Sequence, residues 1–149
     1  MTADDIIARL ALSPHPEGGH YRQTWAAATT DGSGRATATC IHFLLRAGER
    51  SHWHRVDAAE LWFWHAGAPL LLHRAETEAG PATATALGPD VLAGQHPHLL
   101  VAPDHWQAAE STGDYSLVSC VVSPGFRFEG FTLAPPGFDI PVSPGRDVE

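Results

Sequence analysis

Gly48-Glu49-Arg50-Ser51-His52-Trp53-His54-Arg55-Val56-Asp57-Ala58-Ala59-Glu60-Leu61-Trp62-Phe63-Trp64-His65-Ala66-Gly67 carries two histidines one residue apart, a later glutamate and a glycine at either end. On an extended strand, residues i and i+2 project from one face, so this pattern predicts that His52 and His54 aim at one point while Trp53 faces away. Glu60 opens the following strand and brings a carboxylate toward that point. Two imidazoles and a carboxylate are three donors of a divalent metal site, and mixed nitrogen and oxygen ligation suits zinc, nickel, manganese or iron. A His-x-His pair in a strand is also ordinary surface decoration, so the surrounding chain has to decide.

Working outward from this stretch, strand signals dominate. Upstream, Thr2 or Asp4 caps a short helix at about residues 3–12, with Ala3, Ile6, Ile7 and Leu10 on one face and Ser13-Pro14 as its stop. Prolines and paired glycines between Pro14 and Gly19 then fix a turn, and His20 to Trp25 reads as a first strand whose inward face the sequence leaves open. Thr30 to Arg35 is a loop around Asp31-Gly32, and a second strand runs from about Ala36 to Leu45.

Downstream, strands are predicted at about 69–73, 83–87, 98–102, 105–110 and 115–122, and Phe126, Phe128 and Phe131 supply a last apolar run. About nine or ten short strands at intervals of about ten residues indicate an all-β sandwich or barrel rather than alternating β and α units. At 149 residues, with no linker in view, one domain spanning 1–134 is expected. The segment 135–149 holds four prolines and two glycines and is expected to be an irregular, loosely held tail.

Nine basic against seventeen acidic residues leave a formal charge of −8, which argues against a nucleic-acid partner because phosphate binding needs a clustered basic surface. Cys40 and Cys120 do not make a disulfide framework, so a reduced, cytoplasmic setting is expected. The first residues lack the basic start and apolar core of a signal peptide, and no stretch has the roughly 18 to 20 apolar residues needed to span a bilayer. No membrane partner is expected.

A β-rich chain containing Gly-x3-His-x-His-x5-Glu-x6-Gly resembles the first motif of the cupin superfamily, whose small jelly-roll barrel binds a metal or substrate inside. The superfamily's second motif falls between Gly94 and Gln107, and leaves Gln107, or His105, where the fourth ligand would stand. Both share one strand face, and a neutral amide is a poor ligand for a soft metal. More narrowly, Pro14 to Tyr21, Ser51 to Arg55, Glu60 to Trp62, His105 to Gln107 and Pro124 to Phe128 are similar to segments of the cupin 5 group, formerly a domain of unknown function. The resemblance implies a cupin-type jelly-roll β-barrel with a short N-terminal helix. It also implies a likeness in architecture to sugar-nucleotide epimerases, and a homodimer formed through a sheet edge or an exchanged N-terminal strand.

Three uses of the barrel interior follow. In the first, His52, His54, Glu60 and Gln107 hold a metal that acts as a Lewis acid in isomerisation or oxygen chemistry. In the second, no metal is needed: His52 or His54 is a general base beside a carbonyl, and Tyr21 or Tyr115 returns a proton from the other face, as in an epimerase. In the third, Trp62, Trp64 and Trp106 line an apolar pocket that binds a small molecule, with His105 and Gln107 as polar contacts and no catalysis. The indoles serve equally well as core filling. His15, His65, His73, His96 and His98 are expected on loops or outer faces, and Glu17 is explained by a turn as readily as by the barrel mouth.

Overall fold

The computed structural model describes residues 1–29 and 31–142. Thr30, at the start of the expected 30–35 loop, and residues 143–149 of the expected tail lie outside the described residues.

The alternating segments fold into two facing antiparallel sheets. Six strands make the first, in the order β1 (Ser13–Pro14), β2 (His20–Ala26), β3 (Thr39–Arg46), β10 (Tyr115–Ser123), β5 (Ala59–Gly67) and β8 (His98–Val101). Five make the second: β11 (Phe131–Leu133), β4 (Arg50–Val56), β9 (Trp106–Ser111), β6 (Leu70–Ala75) and β7 (Thr83–Leu87). These are the two facing all-β layers that the turn spacing indicated and the jelly roll that the cupin resemblance implied, with the two-residue β1 as the strand the sequence did not reveal.

Inward-facing Phe43, Leu45, Trp62, Leu70, Leu72, Leu87 and Val118 fill one end of the space between the sheets. Fully burying such side chains stabilises the fold by roughly 1.5–3 kcal/mol each. The helix α1 (Ala3–Leu10) begins at Thr2, whose Oγ1 accepts from Asp5 N–H at 3.2 Å while the Asp5 carboxylate accepts from Thr2 N–H at 3.0 Å. It ends two residues earlier than expected because Ala11 takes a left-handed conformation, φ 55°, and closes the last turn. Its apolar stripe packs on Leu44 and Leu117, on the outside of the six-stranded sheet.

The outer face of the five-stranded sheet is covered by the chain after β11. Residues 135–142 form no helix or strand, and they are packed. Ile140 and Phe138 lie with Trp53 and Trp106, and Trp53 Nε1–H donates to Asp139 Oδ1 at 2.9 Å. No helix among the described residues is long and apolar enough to cross a membrane, and both cysteines are free.

Candidate functional site

The end of the barrel opposite the packed core contains a cavity of about 260 Å³. Tyr21 and Gln23 of β2, Thr39 and Ile41 of β3, His54 of β4, Glu60 of β5 and Cys120 of β10 border it, and Phe126, Phe128 and Phe131 form its rim. The face of β2 that the sequence left undecided is thereby settled: Tyr21 and Gln23 look inward.

His54 and His52 do not share a face. Ser51 pairs with Ala109 and His54 with Gln107, so His52 and Trp53 together oppose the single residue Ala108. Two residues against one is a β-bulge, which breaks the alternation on which the paired-ligand reading depended. The bulge turns Ser51 and His54 inward and Trp53 outward beneath the C-terminal segment. His52 Nε2–H donates to the carbonyl of Pro135 at 3.0 Å and does not border the cavity.

His54, 2 % exposed, meets an unexpected partner. Its Nδ1 lies 2.7 Å from the carbonyl oxygen of His52, which accepts only, so Nδ1 carries a proton. Its Nε2 lies 2.8 Å from Glu17 Oε2. Burial alone would lower the imidazole pKa, but the charge and hydrogen bond of Glu17 outweigh it and raise it to about 9. In Glu17 burial pushes upward and the His54 charge prevails, holding the carboxyl below its usual range. The pair is a buried imidazolium–carboxylate contact.

The turn after β1 delivers Glu17. Glu17 N–H donates to His15 Nδ1 at 3.1 Å, and the Glu17 carbonyl accepts from His52 N–H at 2.8 Å, which locks the turn onto β4. Gly18, at φ +113°, sits so close to the backbone of Arg50 that a Cβ would collide with its carbonyl oxygen. His15 lies in a loop, one of the places expected for it, but its side chain is buried rather than exposed. It packs edge-on to Tyr21, with ring centroids 4.4 Å apart, inside the cavity wall. Glu17 and His15 are the site residues that the sequence alone ranks below the His-x-His stretch. Their one signal was the Pro-His-Pro-Glu-Gly-Gly block, in which the glycine pair marks a close backbone approach.

Glu60 is held from behind. Trp62 Nε1–H donates to Gln107 Oε1 at 2.8 Å, and Gln107 Nε2–H donates to Glu60 Oε1 at 2.9 Å. Burial pushes the Glu60 pKa up to about 7, with His54 opposing and Glu17 assisting. Burial also raises the thiol of Cys120, next to Glu60, well above its ordinary value.

Of the proposed ligand set, the structure thus brings His54, Glu60 and Gln107 to one region and leaves His52 outside it. Gln107 presents its amide N–H to Glu60 rather than an oxygen to the cavity, and both ring nitrogens of His54 are engaged. Among the described residues no three His, Cys, Asp or Glu side chains converge as ligands of a metal ion. This donor set does not fit the transition metal that the pattern suggested.

The remaining candidates separate by face. Tyr115 packs under α1 rather than in the cavity. Trp62 is core, Trp64 packs against that core and donates to the Ala68 carbonyl at 3.1 Å, and Trp106 lies beneath Phe138 on the outer side. His105 stands just before β9 in a separate surface depression with Arg74 and Thr83.

Comparison with known proteins agrees with this architecture. The family model described as Cupin_5, Cupin superfamily (DUF985), matches residues 4–134. A crystal structure of a protein from Shewanella oneidensis superposes with a TM-score of 0.84 at 41 % identity, covering 90 % of this chain and 85 % of that one. A hypothetical protein from Leishmania major gives 0.82 at 31 % identity, covering 93 % and 90 %. A cupin 2 conserved barrel domain protein from Rhodopseudomonas palustris shares the fold, with a TM-score of 0.56 at 14 % identity over 85 % of this chain and 74 % of that chain. No curated protein matches.

Proposed function

Because this chain belongs to the Cupin_5 family of the cupin superfamily, we propose that it uses its barrel interior as a metal-independent acid–base site for a small hydroxy-carbonyl compound, in an isomerase- or epimerase-type reaction. One observation carries the reading: Glu60, with a pKa of about 7, borders a cavity that also holds Tyr21. A group whose pKa lies near the working pH both takes and returns a proton efficiently.

In this reading Glu60 carboxylate removes the proton from the carbon next to the substrate carbonyl. The electron pair moves onto the carbonyl oxygen, where the Tyr21 hydroxyl donates to the developing enolate. In an isomerisation Tyr21 protonates the old carbonyl oxygen and takes up the proton of the neighbouring hydroxyl, while Glu60 returns its proton to the former carbonyl carbon; in an epimerisation the original carbon takes a solvent proton on its other face and Glu60 releases its own to solvent. His54 takes no proton itself, since both ring nitrogens are occupied. It holds Glu17 ionised, and the two together set the field in which Glu60 titrates. A cavity of about 260 Å³ falls below the roughly 300–1,000 Å³ usual for drug-sized ligands, so a triose- to hexose-sized body fits and a whole sugar nucleotide does not.

The test is solvent exchange. Incubated in deuterium oxide with small ketoses, the protein should place deuterium next to the carbonyl, Glu60→Gln should abolish exchange, and Tyr21→Phe should slow it by about 10²-fold or more. Chelator treatment should leave the rate unchanged. Ligand binding with no exchange by the native protein would instead make it a small-molecule binding protein.

The homodimer belongs to the same proposal. Among the described residues, no strand pairs with the outer side of β1 in the six-stranded sheet, and Trp25 and Leu100 on that sheet are about half exposed. Sedimentation at micromolar concentration that returned a 16.0 kDa particle would count against it.

A further inference from the structure

The charges around the cavity limit what can enter it. All nine basic residues of the chain are arginines, and there is no lysine. Among the described residues, no arginine borders the cavity. The two that flank its rim in sequence or space are tied to one carboxylate. Arg35 Nη2 lies 2.7 Å and Arg127 Nη2 3.6 Å from the Asp57 side chain, and Arg35 Nε–H also donates to the Gly125 carbonyl at 2.7 Å. Arg22 falls between Tyr21 and Gln23, both inward, so strand alternation puts it on the outer face. Arg46 pairs with Asp4 and Glu49, Arg50 pairs with Glu110, Arg55 stacks over Trp106, and Arg74 donates to the Leu100 carbonyl.

Within the cavity stand two carboxylates, Glu17 and Glu60, and among the described residues the only cation facing them is the His54 ring. That ring has no free N–H for a ligand, because Nε2 is on Glu17 and Nδ1 is on the His52 carbonyl. The other polar groups on the wall are neutral: Tyr21, Gln23, Thr39, the Cys120 thiol, and His15, whose imidazole is kept uncharged by burial and accepts from Glu17 N–H at Nδ1. A buried anion without a charged or multiple N–H partner carries a large desolvation cost and meets the field of the two carboxylates.

We infer that the cavity selects uncharged hydroxy-carbonyl compounds, and excludes carboxylates and phosphates from the part of the ligand that it encloses. The inference rests on the acid–base reading for the carbonyl and on the charge inventory of the wall for the selection. It makes the substrate a free sugar or small ketose rather than a keto acid or a sugar phosphate with its phosphate inside. The Phe126, Phe128 and Phe131 rings, with centroids 5.0 to 6.0 Å apart, bring no charge to the entrance, where Gln23 is a neutral donor.

Matched ligands provide the test. Dihydroxyacetone and hydroxypyruvate share a skeleton and differ by a hydroxymethyl group in place of a carboxylate. Erythrulose and dihydroxyacetone phosphate extend the comparison. Titration calorimetry on the full chain should show the neutral members binding about tenfold or more tightly than the anions. Gln23→Arg, at the exposed rim, should narrow that gap by about tenfold, and Glu60→Gln should narrow it in the same direction. Equal or tighter binding of hydroxypyruvate by the native protein, or failure of every neutral member to bind, overturns the inference. Deuterium exchange without charge selection would sink the inference and leave the acid–base reading standing. Charge selection without exchange would do the reverse.

Discussion

At the scale of single residues, the buried groups make stability depend on pH with a definite sign. Glu60 ordinarily titrates near 4.5 and in the fold near 7, so the folded chain holds a proton that the unfolded chain has released between those values. Its contribution is complete below the unfolded value and is lost as pH rises through about 7. His54 moves from 6.5 to about 9, so its contribution is complete below 6.5 and is lost as pH rises through about 9. Glu17 is depressed, so it works oppositely and loses its contribution as pH falls through its folded value. The melting temperature should therefore decline from about pH 5 to pH 9, by a free energy on the order of a few kcal/mol. Thermal melts of Glu60→Gln should be flat up to about pH 6.5 and fall only above it. A Glu60→Gln profile that superposed on the native one would contradict the shift. The sequence showed that Glu60 and His54 are polar residues entering a barrel. It did not show Glu17 as their partner, because charge pairing across thirty-seven positions of chain leaves no periodic trace.

At the scale of elements, the strands were legible because alternation and turn residues are local, and the bulge in β4 was not. A bulge is an event in pairing: it depends on how β4 registers against β9, about fifty residues away in sequence. Its effect is large, since it sends His52 to the Pro135 carbonyl and leaves Ser51 and His54 as the inward pair. The turn that carries His15 and Glu17 is the second such element. Gly18 and Gly48 both have positive φ, +113° and +81°, but a Cβ at Gly18 would strike the Arg50 carbonyl, whereas at Gly48 nothing lies within 4 Å. Gly48→Ala should cost about 1–2 kcal/mol, the left-handed penalty alone. Gly18→Ala should cost clearly more and also weaken ligand binding, because the turn must move away from β4 and withdraw Glu17 from His54. Urea unfolding and ketose titration of the two variants separate the cases. Equal losses in both would mean that the close approach does not position the site.

At the scale of the whole molecule, each sheet has one face in the barrel and one face covered by a chain end. The helix α1 covers part of the six-stranded sheet, and the segment after β11 covers part of the five-stranded one. The helix was readable from its cap and its 3.6-residue stripe. The C-terminal cover was not, because prolines and glycines announce an irregular backbone but say nothing about whether it is held. Here the holding comes from isolated contacts: Ile140 is 3 % exposed, Phe138 stacks on Trp106 with centroids 5.2 Å apart, and Asp139 accepts from Trp53. The cavity lies on the opposite face of β4, so stability and ligand recognition should separate at this surface. Ile140→Ala should destabilise the fold by about 2–5 kcal/mol, the range for emptying a buried aliphatic site. It should leave ketose affinity unchanged below the melting transition, since Trp53 and His54 point to opposite sides of the strand. A loss of affinity in proportion to the loss of stability would show that the segment acts on the site through the His52–Pro135 contact. In that case His52→Ala, which keeps Ile140 in place, should reproduce the defect in affinity alone.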